Sequence, residues 1–183
     1  MSTALAAPSA GRGIGTDPDL LARHRSGDLW PLTFTAAQSR CAAALCDVIL
    51  PADDRSPGAA ELEVHVFIDE WISAPYAEQQ QDRAIVLEGL GWLNGESVRR
   101  HDHVFADATA DEQRALCDDI CWLPRARPEF ATPARFFARY RDLTAGGFYT
   151  TPQGTQDLQF AGNVALSSFP GPSAEVLKIV GVS

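Results

Sequence analysis

The chain has 183 residues, with 15 basic and 24 acidic side chains and a formal charge of −9. That length supports one domain with its own core, because folding at this size buries about 70% of the unfolded surface. The acidic balance, with Lys178 the sole lysine, excludes the basic clusters that sequence-independent nucleic-acid binding needs and the polybasic face of a membrane-surface protein. No run approaches the ~18 apolar residues of a spanning helix, so no membrane insertion is expected.

Residues 1–30 read as a flexible lead, broken by Pro8 and Pro18 and by alternating Gly11, Gly13 and Gly15. Those glycines lack the Gly-Lys-Ser/Thr of a phosphate loop. The lead has no apolar h-region and no adjacent arginine pair, so the chain as written is expected in the cytoplasm, and in the periplasm if a partner carries it out. Residues 31–183 read as one helical domain. Thr35 and Gln38 have capping-box spacing, and Ala37, Cys41, Leu45, Val48 and Ile49 recur at helical steps over 35–50. Pro51 stops that helix, and a turn-rich stretch runs to Gly58. A second helix is predicted over 60–73, with Val64, Phe67, Ile68, Trp71 and Ile72 on one face. A third covers 77–103, where Gly89, Gly91 and Gly95 imply close packing or a break. Thr109 and Glu112 form another capping box for a fourth helix over 110–123.

Arg125–Thr132 reads as a proline-rich linker. Thr132 and Pro133 then read as N-cap and first residue of a fifth helix that ends at Gly146. Gly146 to Gly154 reads as an aromatic turn, 155–172 as irregular chain, and 173–180 as a short helix. The sum is a mainly α fold of about five helices with a long irregular aromatic tail, 146–183. Long irregular segments are uncommon in compact domains and often interfacial. The tail aromatics Phe148, Tyr149, Phe160 and Phe169 are therefore the candidate partner anchors.

Candidate chemistry is thin. His101-Asp-His103 is the most metal-like fragment, but residues two apart on a helix point about 200° from each other, so a solvated helix end is expected. Cys41, Cys46, Cys117 and Cys121 could meet across two helices as a four-thiolate site or a bridge, yet lack CxxC knuckles and read first as small buried hydrophobes. Asp53 and Asp54 beside Arg55 read as a solvated turn. His65 could be a lone base, but no nucleophile has a recognisable setting. Glu61 and Glu63 suit a helix start electrostatically. Arg135, Arg139 and Arg141 could read a carboxylate or a flavin phosphate, and read first as a solvated face with stems on aromatics. No catalytic, cofactor-binding or metal residue is assigned.

The order of fragments resembles the gluconate 2-dehydrogenase subunit 3 family. The resemblance is carried by Leu45-Cys-Asp-Val-Ile-Leu-Pro51, Ser56-Pro-Gly-Ala59, Val66-Phe-Ile-Asp69, Leu87-Glu-Gly-Leu90 with Trp92-Leu93, and Phe105. It continues through Phe136-Phe137, Leu143-Thr144, Gly147-Phe-Tyr-Thr150 and the Gly162-Asn163 to Phe169-Pro-Gly171 tail. It implies a helical small subunit of an FAD-dependent sugar, polyol or glycoside dehydrogenase, not catalytic by itself. The flavin would belong to a large subunit of the glucose–methanol–choline (GMC) type. Gluconate oxidation and oxidation at C3 of a glycoside fit it equally. A twin-arginine signal often found in such small subunits does not appear in this sequence. The alternatives from other classes are a free-standing enzyme using His65 and Asp53, or the His101/His103 end, and a transient assembly chaperone.

Overall fold

The computed structural model describes residues 25–160, 167–168 and 171–182. These contain seven α-helices, joined by turns, 3-10 turns and loops. The helices are α1 (Ala36–Ile49), α2 (Val64–Ser73), α3 (Ala77–His101), α4 (Ala110–Asp118), α5 (Ala131–Tyr149), α6 (Pro152–Asp157) and α7 (Ala174–Val180). The mainly α reading therefore holds: α1 to α5 answer to the five expected helices and α7 to the short one expected over 173–180, while α6 was not expected.

Both capping boxes form. Thr35 accepts from the Gln38 amide while the Gln38 side chain accepts from the Thr35 amide, and Thr109 and Glu112 do the same. Each pairing satisfies two of the amide donors that a helix start leaves open. The second helix begins later than expected, because Glu63 turns left-handed (φ 56°) just before Val64. The fourth ends sooner, at Asp118.

α3 runs unbroken through its three glycines. Gly89 is there for proximity: a Cβ on it would sit 1.9 Å from Cγ of Phe136. α3 and α5 consequently lie side by side along the centre of the domain, with α1 and α2 packed on them. The core between them holds Cys41, Leu45, Ile68, Ile72, Leu90, Leu93, Phe105, Phe136 and Tyr140. Tyr140 is fully enclosed and donates its hydroxyl to the Ala42 carbonyl at 2.9 Å, so its polar tip is satisfied inside an apolar setting.

The limits expected for α5 are corrected at both ends. A 3-10 turn, Pro128–Phe130, feeds directly into it, so Thr132 lies inside the helix and Pro133 occupies the third position. An amide there has no intrahelical acceptor, so proline costs nothing. At the far end the helix passes Gly146 and Gly147 and stops at Tyr149. Gly147 faces α2, where a Cβ would come within 2.7 Å of Phe67. This glycine permits a close helix crossing rather than a stop. The expected aromatic turn is thus mostly helix, followed by α6 with Thr151 as its N-cap.

The described chain starts inside the expected lead, with residues 25–34 strapped to α2. The buried carboxylate of Asp69 accepts from the amides of Thr33 (2.9 Å) and Phe34 (3.0 Å). The Trp30 indole donates to the Glu70 carbonyl, and the Gly27 amide to the Glu70 carboxylate.

Candidate functional site

The acid–base groups are mostly engaged in holding the fold. Asp82, buried on α3, accepts two bonds from Arg139 of α5 (2.7 and 2.5 Å) and one from the Trp71 indole of α2 (2.7 Å). Burial alone would raise this carboxyl, but these donors outweigh it and hold it below its usual range. Arg139 therefore reads a carboxylate, but an internal one. Arg141 pairs with its neighbour Asp142.

His101 and His103 lie at a helix end, as expected, but their rings do not point apart. α3 stops at His101 because Asp102 adopts the left-handed conformation (φ 62°). That turn returns His103 to the side of His101, and the rings stack with centroids 6.0 Å apart. Both imidazoles rest on one carboxylate: His101 Nδ1 lies 3.3 Å from Glu112 Oε1, and His103 Nε2 lies 3.2 Å from Oε2. Glu112 is already the accepting residue of the α4 capping box, and its bonds from Thr109 bring its carboxyl down to about 2. Among the described residues, no group of three or more His, Cys, Asp or Glu is arranged to hold a metal ion.

The remaining candidates separate. Cys41, Cys46 and Cys117 are buried free thiols, while Cys121 is exposed and free. Burial pushes Cys41 and Cys117 up to about 12 and Cys46 to about 11, far from thiolate reactivity. Asp53 forms an Asx turn, its carboxylate accepting from the amides of Arg55 and Ser56 at 2.8 Å. Those bonds lower its pKa, and Asp54 beside it is exposed. Across a small cleft of about 200 Å³, Ser56 meets Asp157, and Gln153 bonds Asp157 at 3.1 Å. α6 is thereby pinned to the 51–58 turn. His65 lies half-buried on α2 with Nδ1 enclosed and unpartnered, and burial lowers its pKa. Glu61 and Glu63 are exposed.

The four proposed anchors fall in different places. Phe148 is 5% exposed and belongs to the core cluster, stacked edge-on with Tyr149. Tyr149 is 37% exposed and Phe160 is 66% exposed. Phe169 lies outside the described residues. Exposed apolar surface that the aromatic reading missed lies on α7, at Val176, Ile179 and Val180, and just after it at Val182. A cleft of about 440 Å³ opens between Ile85, Gly89 and Trp92 of α3 and Pro133 and Phe136 of α5, with Arg135 at its edge.

Comparison with protein families gives one decisive observation: the family described as Gluconate 2-dehydrogenase subunit 3 matches residues 36–171. The chain belongs to this family. The match spans α1 to α6, the described bundle around α3 and α5, and stops just short of α7. Neither the curated proteins nor the solved structures yield a match. Membership in a subunit family makes the chain a small subunit of a dehydrogenase complex and implies a larger catalytic partner. No described helix is long and apolar enough to cross a membrane.

Proposed function

We propose that the chain is the non-catalytic small subunit of an FAD-dependent dehydrogenase whose GMC-type large subunit holds the flavin and oxidises a CH–OH group of a sugar or glycoside. The family match over residues 36–171 carries this reading. It is supported by how the charged side chains are engaged: Asp69, Asp82, Glu112 and Asp53 each hold backbone or side-chain donors of this chain. The contribution of the small subunit is to stabilise the large one or to aid its folding and flavin uptake.

The test is co-expression with the large subunit, purified through a tag on this chain alone. A two-chain complex with flavin absorbance is expected, bleached by either gluconate or a glycoside. A colourless lone chain overturns the proposal. A maturation chaperone would instead be missing from the mature complex, which native mass spectrometry reads directly. The unpartnered His65 Nδ1 is the observation favouring a free-standing enzyme. That reading requires turnover by the isolated chain, lost in His65→Ala.

A further inference from the structure

The α3–α5 seam opens on one side into the cleft of about 440 Å³, a size within the roughly 300–1,000 Å³ of small-molecule sites. Helical spacing builds its walls. Ile85, Gly89 and Trp92 stand at i, i+4 and i+7 on α3, and Pro133 and Phe136 at i and i+3 on α5. Gly89 admits the buried Phe136 ring at the base. Trp92 packs edge-on against Phe130 at 5.6 Å, and Phe130 in turn lies beneath the guanidiniums of Arg127 at 4.3 Å and Arg100 at 5.9 Å. The cleft is thus formed before anything enters it, so a ligand does not bear the cost of ordering its walls.

Of the three α5 arginines able to read a carboxylate, Arg139 holds Asp82 and Arg141 holds Asp142. Arg135, exposed on the rim of this cleft, has no ion partner among the described residues. Glu88, on the α3 side of the rim, has no donor among them, whereas Glu129, also on the rim, lies 3.5 Å from Arg127. The indoles of Trp30 and Trp71 donate within the chain. That of the half-buried Trp92 has no acceptor among the described residues. An apolar cleft therefore presents one open cation, one open anion and one neutral donor. A simple carboxylate would meet Glu88 uncompensated, and a simple amine would meet Arg135 in the same way. An aromatic amino acid carries both charges on one carbon beside an apolar ring, and its zero net charge is not repelled by a chain at −9. We propose that this cleft binds a free aromatic α-amino acid, its ring against Phe136 and Pro133, its carboxylate on Arg135 and the Trp92 N–H, and its ammonium on Glu88.

The experiment titrates L-phenylalanine into the full nitrogen-15-labelled chain and follows the Trp92 indole N–H by NMR, its resonance identified by its absence in Trp92→Phe. A saturable shift of that resonance is expected, with a Kd of about 0.1–1 mM, while the indoles of Trp30 and Trp71 stay in place. N-acetyl-L-phenylalanine and L-phenylalaninamide each lack one of the two charges and should bind at least about tenfold more weakly. The same loss is expected for L-phenylalanine with Arg135→Ala and with Glu88→Gln, both at exposed side chains. No saturable shift up to about 10 mM overturns the site. Equal binding of either derivative to the parent chain, or of L-phenylalanine to both variants, shows a cleft that reads no charge and overturns the assignment as well. None of these outcomes bears on the subunit reading, which co-purification with the large subunit decides separately.

Discussion

At the level of single residues, burial and hydrogen bonding decide which groups remain reactive. Cys41, Cys46 and Cys117 are enclosed, and burial lifts their thiols to about 11 or 12. Only Cys121 is exposed. Titration of the native chain with a thiol reagent near pH 8 should therefore label one cysteine promptly and the other three only on unfolding. Prompt labelling of more than one would contradict the packing of α1 against α4. Asp82 sets the larger energetic stake. Asp82→Ala leaves Arg139 and the Trp71 indole without their acceptor, at a cost of about 3 kcal/mol, the low end for breaking a buried pair because Arg139 keeps some contact with water. Differential scanning calorimetry should show a fall in Tm of about 6–12 °C. This pair joins residues 57 apart, and no local pattern in the chain announces it. Arg139 was legible as a residue able to read a carboxylate, but which carboxylate depended on α3 and α5 lying side by side.

The helix starts at Thr35 and Thr109 were the most legible, since a capping box involves four consecutive positions and no tertiary contact. Thr109→Ala should cost about 1 kcal/mol, measured by chemical denaturation. Helix interiors and ends were harder to place, because glycine signals two different things. Gly146 and Gly147 resemble a stop, and only the closeness of Phe67 shows that Gly147 admits a neighbouring helix instead. The three glycines of α3 divide in the same way. Gly89 faces Phe136 with no room for a methyl, whereas Gly91 and Gly95 have nothing within 4 Å. Gly89→Ala should then destabilise by about 1–3 kcal/mol through overpacking. Gly91→Ala and Gly95→Ala should each stabilise by up to about 1 kcal/mol through helix propensity. Opposite signs in one helix, read by urea denaturation, distinguish proximity from mere flexibility. The His101–His103 pair was legible as a fragment, but its stacking required the left-handed turn at Asp102, which a straight-helix projection does not contain.

At the scale of the whole molecule, the acid side of the stability profile follows from four carboxyls. Bonds from Arg99 bring Glu96 down to about 2, those from Thr109 do the same for Glu112, and Asp53 and Asp82 are also lowered. Each binds its proton less readily folded than unfolded, so its contribution is complete above about 4.5 and is lost as pH falls toward about 2. Denaturation midpoints should decline gently as pH falls below about 6.5, where His65 charges more readily unfolded than folded, and fall more steeply below about 4.5, less so for Glu112→Gln. A flat profile through that window would show that these bonds do not persist in solution. The candidate interface was only half legible at this scale. Aromatic side chains drew attention to the tail, yet Phe148 fills the core, and it is the aliphatic residues of α7 that face outward. An apolar residue says that it wants cover; only the assembled fold shows whether the chain itself provides it. The sealed cysteines have one more consequence. All four are unbridged, so no covalent cross-link among them has to form before this fold is complete, and none can be lost to a reductant. The fold of this chain by itself can therefore be completed under reducing conditions, without a disulfide-forming catalyst.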